Sequence, residues 1–413
     1  MKMRRVVITG CGVVSPVGIG KDSFWDSLIH ARSGVGRITH FDAKEFDSQI
    51  AGEVKNFEPP VFLSSKDLRR TPRFIQFALK SAQEALEESG ISLERIDPYQ
   101  IGTIIGSGVG SLETVEEEHR VLLEKGPSKL SPFMIPMLIT NEAPGHVSMH
   151  FKLKGVNFCT VTACASGAHG IGEAYRTIQQ GKATVMVAGG TEACIVPLGV
   201  GGFCALKALS KRNHEPERAS RPFDAERDGF VIAEGAGVVI LEELEHAKKR
   251  GAFIYGELTG YGATSDAYHI TAPDPDGAAA ARAMSICLEE AKVKLSDNIY
   301  INAHGTSTEL NDKMETKAIK DVFGGYAKKV IISSTKSMTG HTLGAAGAIE
   351  FIVCCLAIKH KLIQPTINYE NPDPECDLYY TPNETKEFDI KAALSNSLGF
   401  GGQNATLLIK EFK

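Results

Sequence analysis

Four short stretches carry the side chains with chemistry to offer. "TACASG" holds Cys164, "NAHGTST" holds His304, "KSMTGHTLGAAG" holds Lys336 and His341, and "NSLGFGGQN" holds Phe400 among glycines. Cys164 stands where a β-branched run gives way to a small-residue helix. A helix N-terminus stabilises thiolate through its partial positive charge and unpaired N–H groups, and so lowers a thiol from its ordinary pKa of ~8.5. Unpaired cysteine is also among the most buried residue types, so position alone leaves Cys164 open as a nucleophile or a small core residue. Lone histidines near strand ends are commonly structural. His304 and His341 each follow an apolar strand and stand beside glycine and threonine clusters that leave backbone exposed.

The elements that must position these groups alternate along the chain. "RRVVIT" reads as a strand over Val6–Thr9, "RFIQFALKSAQEALEESG" as a helix ending on Gly90, and "IGTIIGSG" as a strand. "ATVMVAGG", "GAGVVILEELEHAKKRG", "YINAHGTS", "KVIISSTKS", "AIEFIVCCLAIKHK" and "NATLLIKEF" continue the alternation. Strands this apolar have no wet face, which predicts layered α/β packing around buried sheets. Displaced by 177 positions, Gly344, Ala345, Gly347, Glu350 and Lys359 fall on Gly167, Ala168, Gly170, Glu173 and Lys182. Small residues recur easily in such helices. A true duplication would set Cys164 and His341 at equivalent helix starts and bring the two together.

Composition narrows the function classes. With 413 residues and 43% hydrophobic content, the chain can bury two domain cores or one fused core. Its 45 basic against 50 acidic residues give −5, which argues against a basic coat for nucleic acid or anionic lipid. The start, "MKMRRVVITGCGVVSPVG", resembles a signal peptide until Gly10, Gly12, Pro16 and Gly18 interrupt it, and a first strand is the better reading. The longest later apolar stretch, Phe351–Ile358, falls short of the roughly 20 residues that span a membrane. Nine cysteines without CxxC spacing suit free thiols in a reducing compartment, so the expectation is a soluble cytoplasmic protein.

Taken in order, the four motifs resemble the signature of the β-ketoacyl-[acyl-carrier-protein] synthases, most nearly the chain-elongating type II branch, and the resemblance runs nearly end to end. It implies the thiolase fold, a duplicated αβαβα sandwich, divided here as 1–253, with inserted loops, and 254–413. It implies that Cys164 accepts an acyl chain as a thioester and that the backbone N–H groups of Cys164 and Phe400 form an oxyanion hole. His304 and His341 would stabilise the enolate left when malonyl-carrier protein loses carbon dioxide, and Lys336 would support the site through Glu350. Thr306 and Thr308 match positions that bind the phosphopantetheine arm. Val109, Phe133 and Phe203 match the acyl tunnel, Phe133 reaching it from the partner subunit of a homodimer. Phe230 and Phe400 are expected to gate entry, and Val109, where many relatives carry isoleucine, predicts acceptance of medium and long chains. The basic run "SSKDLRRTPRF", with Lys66, Arg69, Arg70 and Arg73, reads as a solvated helix face on its own. The resemblance implies a docking patch for acidic acyl carrier protein, joined by Lys207.

Other readings fit less well. "TGCGVVSPVG" and "GSGVGS" imitate dinucleotide loops, but Pro16 and Gly18 spoil the helix after the first, and the second lacks the spacing to an acidic ribose partner. No redox cofactor is expected. Zinc on Cys164, His304 and His341 is disfavoured by their long separations and by the cation at Lys336. A thiolase would need a second cysteine where "NSLGFGGQN" has none. A polyketide-type ketosynthase and a silent chain-length-setting subunit are the rivals, the latter opposed by the complete Cys, His and His set. Glu309 replaces a proline found in many relatives.

Overall fold

The structure, a computed structural model, describes residues 3–413. Five strands of the first half, β1 (Val6–Ser15), β2 (Ile101–Gly106), β3 (Asn157–Phe158), β4 (Val185–Glu192) and β5 (Gly235–Glu243), lie in the order β1-β5-β4-β2-β3. Five of the second, β6 (Gly256–Ser265), β7 (Ile299–Asn302), β8 (Ile331–Ser333), β9 (Ala392–Gly399) and β10 (Gln403–Lys410), lie in the order β6-β10-β9-β7-β8. In each half the first strand runs antiparallel to the last, the last antiparallel to the fourth, and the remaining pairings are parallel. The same topology thus occurs twice, and the two sheets join where Val6, Val7 and Ile8 pair with Leu258, Glu257 and Gly256.

Five helices complete the layers. Helix α1 (Arg73–Ser89) covers β1 and β5, and α3 (Ala278–Ala291), with α4 (Glu309–Phe323) beside it, covers β6 and β10. Between the sheets lie α2 (Ser166–Gln179) and α5 (Ala346–His360), in contact with one another and with strands of both halves. This is the expected αβαβα sandwich. Glycine sets its spacing. A Cβ on Gly10 or Gly12 would lie 2.2 or 2.0 Å from the carbonyl oxygens of Ala85 and Ser81, and one on Gly260 or Gly262 would lie 2.3 or 1.9 Å from those of Cys287 and Ala283. The glycines expected to end the first strand at Thr9 therefore lie within it, where they admit α1 against the sheet. The motif that imitates a dinucleotide loop is a strand.

Helix α5 is buried from Ala346 to Ile358, apolar all round except for Glu350. With its preceding turn, Leu343–His360 is long and apolar enough to cross a membrane, longer than the run read from sequence, and 89% of it is buried inside the fold.

Candidate active site

The duplication brings the reactive groups together. Cys164 lies in the single turn Ala163–Ala165 that leads into α2, with Ala163 at φ +48°; the matching turn, Leu343–Ala345, leads into α5 with Leu343 at φ +50°, so the halves correspond at an offset of 180 residues rather than 177, and His341 stands just ahead of that second turn. Where α2 and α5 cross, a Cβ on Gly167 would lie 2.9 Å from the Gly344 oxygen, and one on Gly347 would lie 2.8 Å from the Ala168 Cβ. The two helices approach backbone to backbone, and their starts converge. His341 Nε2 lies 3.1 Å from Cys164 Sγ. The His304 and His341 rings meet edge to face with centroids 5.3 Å apart, and one ligand atom of each histidine lies with Sγ inside a 4.8 Å cluster.

Hydrogen bonds fix which nitrogen carries each proton. The Leu343 N–H donates to His341 Nδ1 at 3.3 Å, and Lys336 Nζ donates to His304 Nδ1 at 3.3 Å and to the His304 carbonyl at 2.6 Å. Each Nδ1 is an acceptor, so each Nε2 carries the hydrogen. Burial first, then the Lys336 charge, holds both imidazoles well below their ordinary pKa, and His341 adds to the effect on His304. Two neutral N–H donors therefore face the thiol. Lys336 is tied to Glu350 at 2.5 Å, and burial pushes the Glu350 carboxyl up to about 7 against the pull of that lysine.

The thiol departs from expectation. Burial pushes Cys164 up to about 11, outweighing the Lys336 charge and the N–H groups of Phe400 and of Cys164 itself. At neutral pH it rests as a thiol, because the helix start that would favour thiolate is 8% exposed and desolvation prevails.

A cavity of about 550 Å³ opens onto this cluster. Thr306 and Thr308 line it, their hydroxyl oxygens 2.9 Å apart. Val109, Phe203 and Phe230 line it too, Phe230 edge-on to both Phe203 and His341 with centroids 5.3 Å apart in each pair. Phe400 and Lys207 also border it, Phe400 just before Gly401 and Gly402, both in left-handed backbone. Phe133 lies outside this chain's cavity, beneath the Arg70 guanidinium at 3.8 Å. Lys66, Arg69 and Arg70 are exposed. Arg73, counted in the same basic run, is withdrawn into a bidentate pair with Glu234 at 2.7 and 2.8 Å.

Two buried carboxylates escaped the sequence reading. Glu315 on α4 accepts the N–H groups of His304 and Gly305 at 2.8 Å each and so sets the His304 turn. Glu192 ends β4 and borders the cavity, and the glycine-rich "GSGVGS" loop turns its N–H groups to that carboxylate rather than to a phosphate. The only signal was an acidic residue closing an apolar strand.

The donor set of Cys164, His304 and His341 does not suit a metal. Freeing either Nε2 lone pair would move the hydrogen to Nδ1, against the Leu343 N–H or the Lys336 ammonium. Elsewhere, the buried oxygens Asn302 Oδ1, Glu350 Oε2, Ser395 Oγ and Ser397 Oγ lack hydrogen-bond partners.

Residues 3–247 match the family description "Beta-ketoacyl synthase, N-terminal domain", and residues 255–370 match "Beta-ketoacyl synthase, C-terminal domain". The chain is 51% identical to a 3-oxoacyl-[acyl-carrier-protein] synthase 2 of Coxiella burnetii, over 99% of both chains. It is 49% identical to the protein of that name from Synechocystis sp., over 100% of this chain and 99% of the relative. A ketosynthase solved in complex with its type II PKS acyl-carrier protein superposes with a TM-score of 0.92 at 38% identity, each chain covered completely.

Proposed function

This chain belongs to the β-ketoacyl synthase family, and on that premise we propose that it condenses malonyl-acyl-carrier protein with a Cys164-bound acyl chain, lengthening fatty acyl chains by two carbons. The observation that carries the reading is a buried thiol 3.1 Å from His341 Nε2, with both imidazoles neutral and protonated on Nε2 by virtue of their Nδ1 partners.

In the first half-reaction Cys164 Sγ bonds to the thioester carbon of acyl-carrier protein. The oxyanion that forms takes hydrogen bonds from the Cys164 and Phe400 N–H groups. Its collapse breaks the bond to the phosphopantetheine sulfur, which leaves with the thiol proton. In the second, malonyl-carrier protein loses carbon dioxide, and the bonding pair passes into an enolate whose oxygen the two Nε2–H groups hold. The enolate carbon attacks the acyl-Cys164 carbonyl, a carbon–carbon bond forms, and the cysteine sulfur departs and regains a proton. Kinetics should be ping-pong. Lys336 supports this by holding the His304 tautomer, with Glu350 as its counter-charge. Thr306 and Thr308 receive the phosphopantetheine arm. Val109 and Phe203 line the acyl channel for medium and long chains, while Phe230 and Phe400 gate it. A change in the order or selectivity of the two half-reactions in Phe400→Ala tests the gate.

A homodimer supplies Phe133 to the neighbouring channel. The exposed edge strand β3, with exposed Val161 just after it and exposed Met149 on the helix packed beside it, supports a second copy there. The carrier protein docks on Lys66, Arg69, Arg70 and Lys207. The halves divide as 1–253 and 254–413, and the free thiols suit the cytoplasm. A polyketide-type ketosynthase is the second reading, favoured by the likeness to the carrier-protein-bound ketosynthase but set against lower identity, 38% against 49–51%. Purified protein with malonyl- and acyl-carrier proteins, product length read by mass spectrometry, tests the proposal: two-carbon extension of a fatty acyl chain supports it, and absence of any extension overturns it.

A further inference from the structure

Glu192 is fully buried at the end of β4, at the seam between the two halves. Its Oε1 accepts the Ser107 hydroxyl at 2.9 Å and the Val109 N–H at 3.3 Å. Its Oε2 accepts the Gly108 N–H at 2.7 Å and the Gly344 N–H at 3.0 Å. The first three donors belong to the loop that carries Val109 into the acyl channel; the fourth lies three residues past His341. Both contacting glycines are required for the fit, since a Cβ on Gly108 or Gly344 would come within 2.9 or 2.6 Å of Oε2. A buried carboxylate with four donors from two separate segments is an expensive arrangement unless it holds them in register.

We propose that Glu192 is a positioning residue for the condensation: its carboxylate ties the channel wall at Val109 to the turn that carries His341, so that one group sets both the chain length accepted and the seating of that imidazole. The inference rests on the reading that Cys164 takes up an acyl chain. Glu192 touches no reacting atom in this scheme and acts through its neighbours. Its charge also opposes thiolate formation at Cys164.

Glu192→Gln separates these effects. With its oxygen kept on Gly108 and Gly344, its amide meets the Ser107 hydroxyl, which can accept, and the Val109 N–H, which cannot. The Val109 bond is lost and the negative charge is removed. Ser107→Ala removes a donor and keeps the charge. Two readouts follow: the pH profile of Cys164 alkylation by iodoacetamide, located by mass spectrometry, and acyl transfer from carrier proteins loaded with short and long chains. In Glu192→Gln the alkylation profile moves to lower pH, the rate at pH 8 rising about threefold or more. The ratio of long- to short-chain transfer rises about threefold, the scale of one lost hydrogen bond. Ser107→Ala shifts the length ratio the same way and leaves the alkylation profile in place. An unchanged profile and ratio in folded Glu192→Gln overturns the proposal; should that variant not fold, an unchanged ratio in Ser107→Ala does so. Failure of the unmodified protein to accept any acyl chain instead strikes the proposed function, while the alkylation comparison still reads the effect of the Glu192 charge.

Discussion

Replacing Gly347 with alanine tests the link between helix crossing and chemistry. The added Cβ would stand 2.6 Å from Ser397 Oγ, 2.8 Å from the Ala168 Cβ and 2.9 Å from the Ala168 nitrogen, where ordinary contact begins at 3.4 Å. The backbone nitrogen cannot turn aside as a side chain would, so α5 must retreat from α2 by about half an ångström or more. His341 precedes α5 and moves with it, stretching the 3.1 Å between its Nε2 and Cys164 Sγ by about half an ångström and tilting the ring from its place beside His304. Overpacking of this kind costs about 1–3 kcal/mol, and alanine in a helix interior returns about 1 kcal/mol relative to glycine. The net loss of stability is then about 0–2 kcal/mol, whereas about 1 Å of misplacement between reacting groups costs roughly 10²-fold in rate, so half that displacement lowers it by about 10-fold. The signature is a protein that melts near the normal temperature yet condenses slowly. Thermal unfolding beside the time course of two-carbon extension from malonyl-carrier protein, followed by mass spectrometry, reads both. A folded Gly347→Ala protein that extends acyl chains at the unmodified rate would refute the view that this crossing seats His341.

Further outcomes follow from the same geometry. Because burial raises Cys164 from 9.0 to about 11, the folded state holds a proton that the unfolded state releases first; its contribution is complete below pH ~9 and falls by about 2 kcal/mol as pH rises toward 11. Denaturant titrations of the native protein and Cys164→Ala across that range should diverge in this sense. Glu350→Gln leaves the Lys336 ammonium buried beside a neutral group and should lower stability by about 3 kcal/mol, seen in the urea midpoint. Charge reversal at Lys66 and Arg69 should weaken carrier-protein binding most at low salt, as titration at two ionic strengths would record, with thermal stability nearly unchanged. Reversal at Arg73 should instead destabilise the fold, because its partner Glu234 is buried.

The convergence of Cys164, His304 and His341 was partly legible, because both histidines follow apolar strands among glycines and small-residue similarity hinted at a duplication; the structure sets that duplication at 180 residues rather than 177, so Cys164 and His341 meet near matching helix starts without being equivalent positions. The layered fold was legible for a related reason: strands too apolar for a wet face demand helices on both sides. What sequence could not supply were contacts made across long separations. Nothing local marks Glu192 as the partner of Ser107, 85 residues away, or Arg73 as that of Glu234, 161 residues away. The thiol's elevation was hidden as well, since helix-start stabilisation is a local effect and the burial that exceeds it comes from the closure of both halves. Gly10 and Gly12 misled for the opposite reason: seen alone they end a strand, and only the packed α1 reveals the backbone they admit.

The central claim is that Cys164 carries the acyl chain and the two imidazoles act afterwards on the malonyl unit. The most direct test is intact-mass analysis of His304→Ala incubated with acyl-carrier protein and then with malonyl-carrier protein. The account predicts a stable acyl adduct on Cys164 that forms readily and persists, with little carbon dioxide released and no extended product. Extended product at the unmodified rate, or an adduct on any residue other than Cys164, would contradict it.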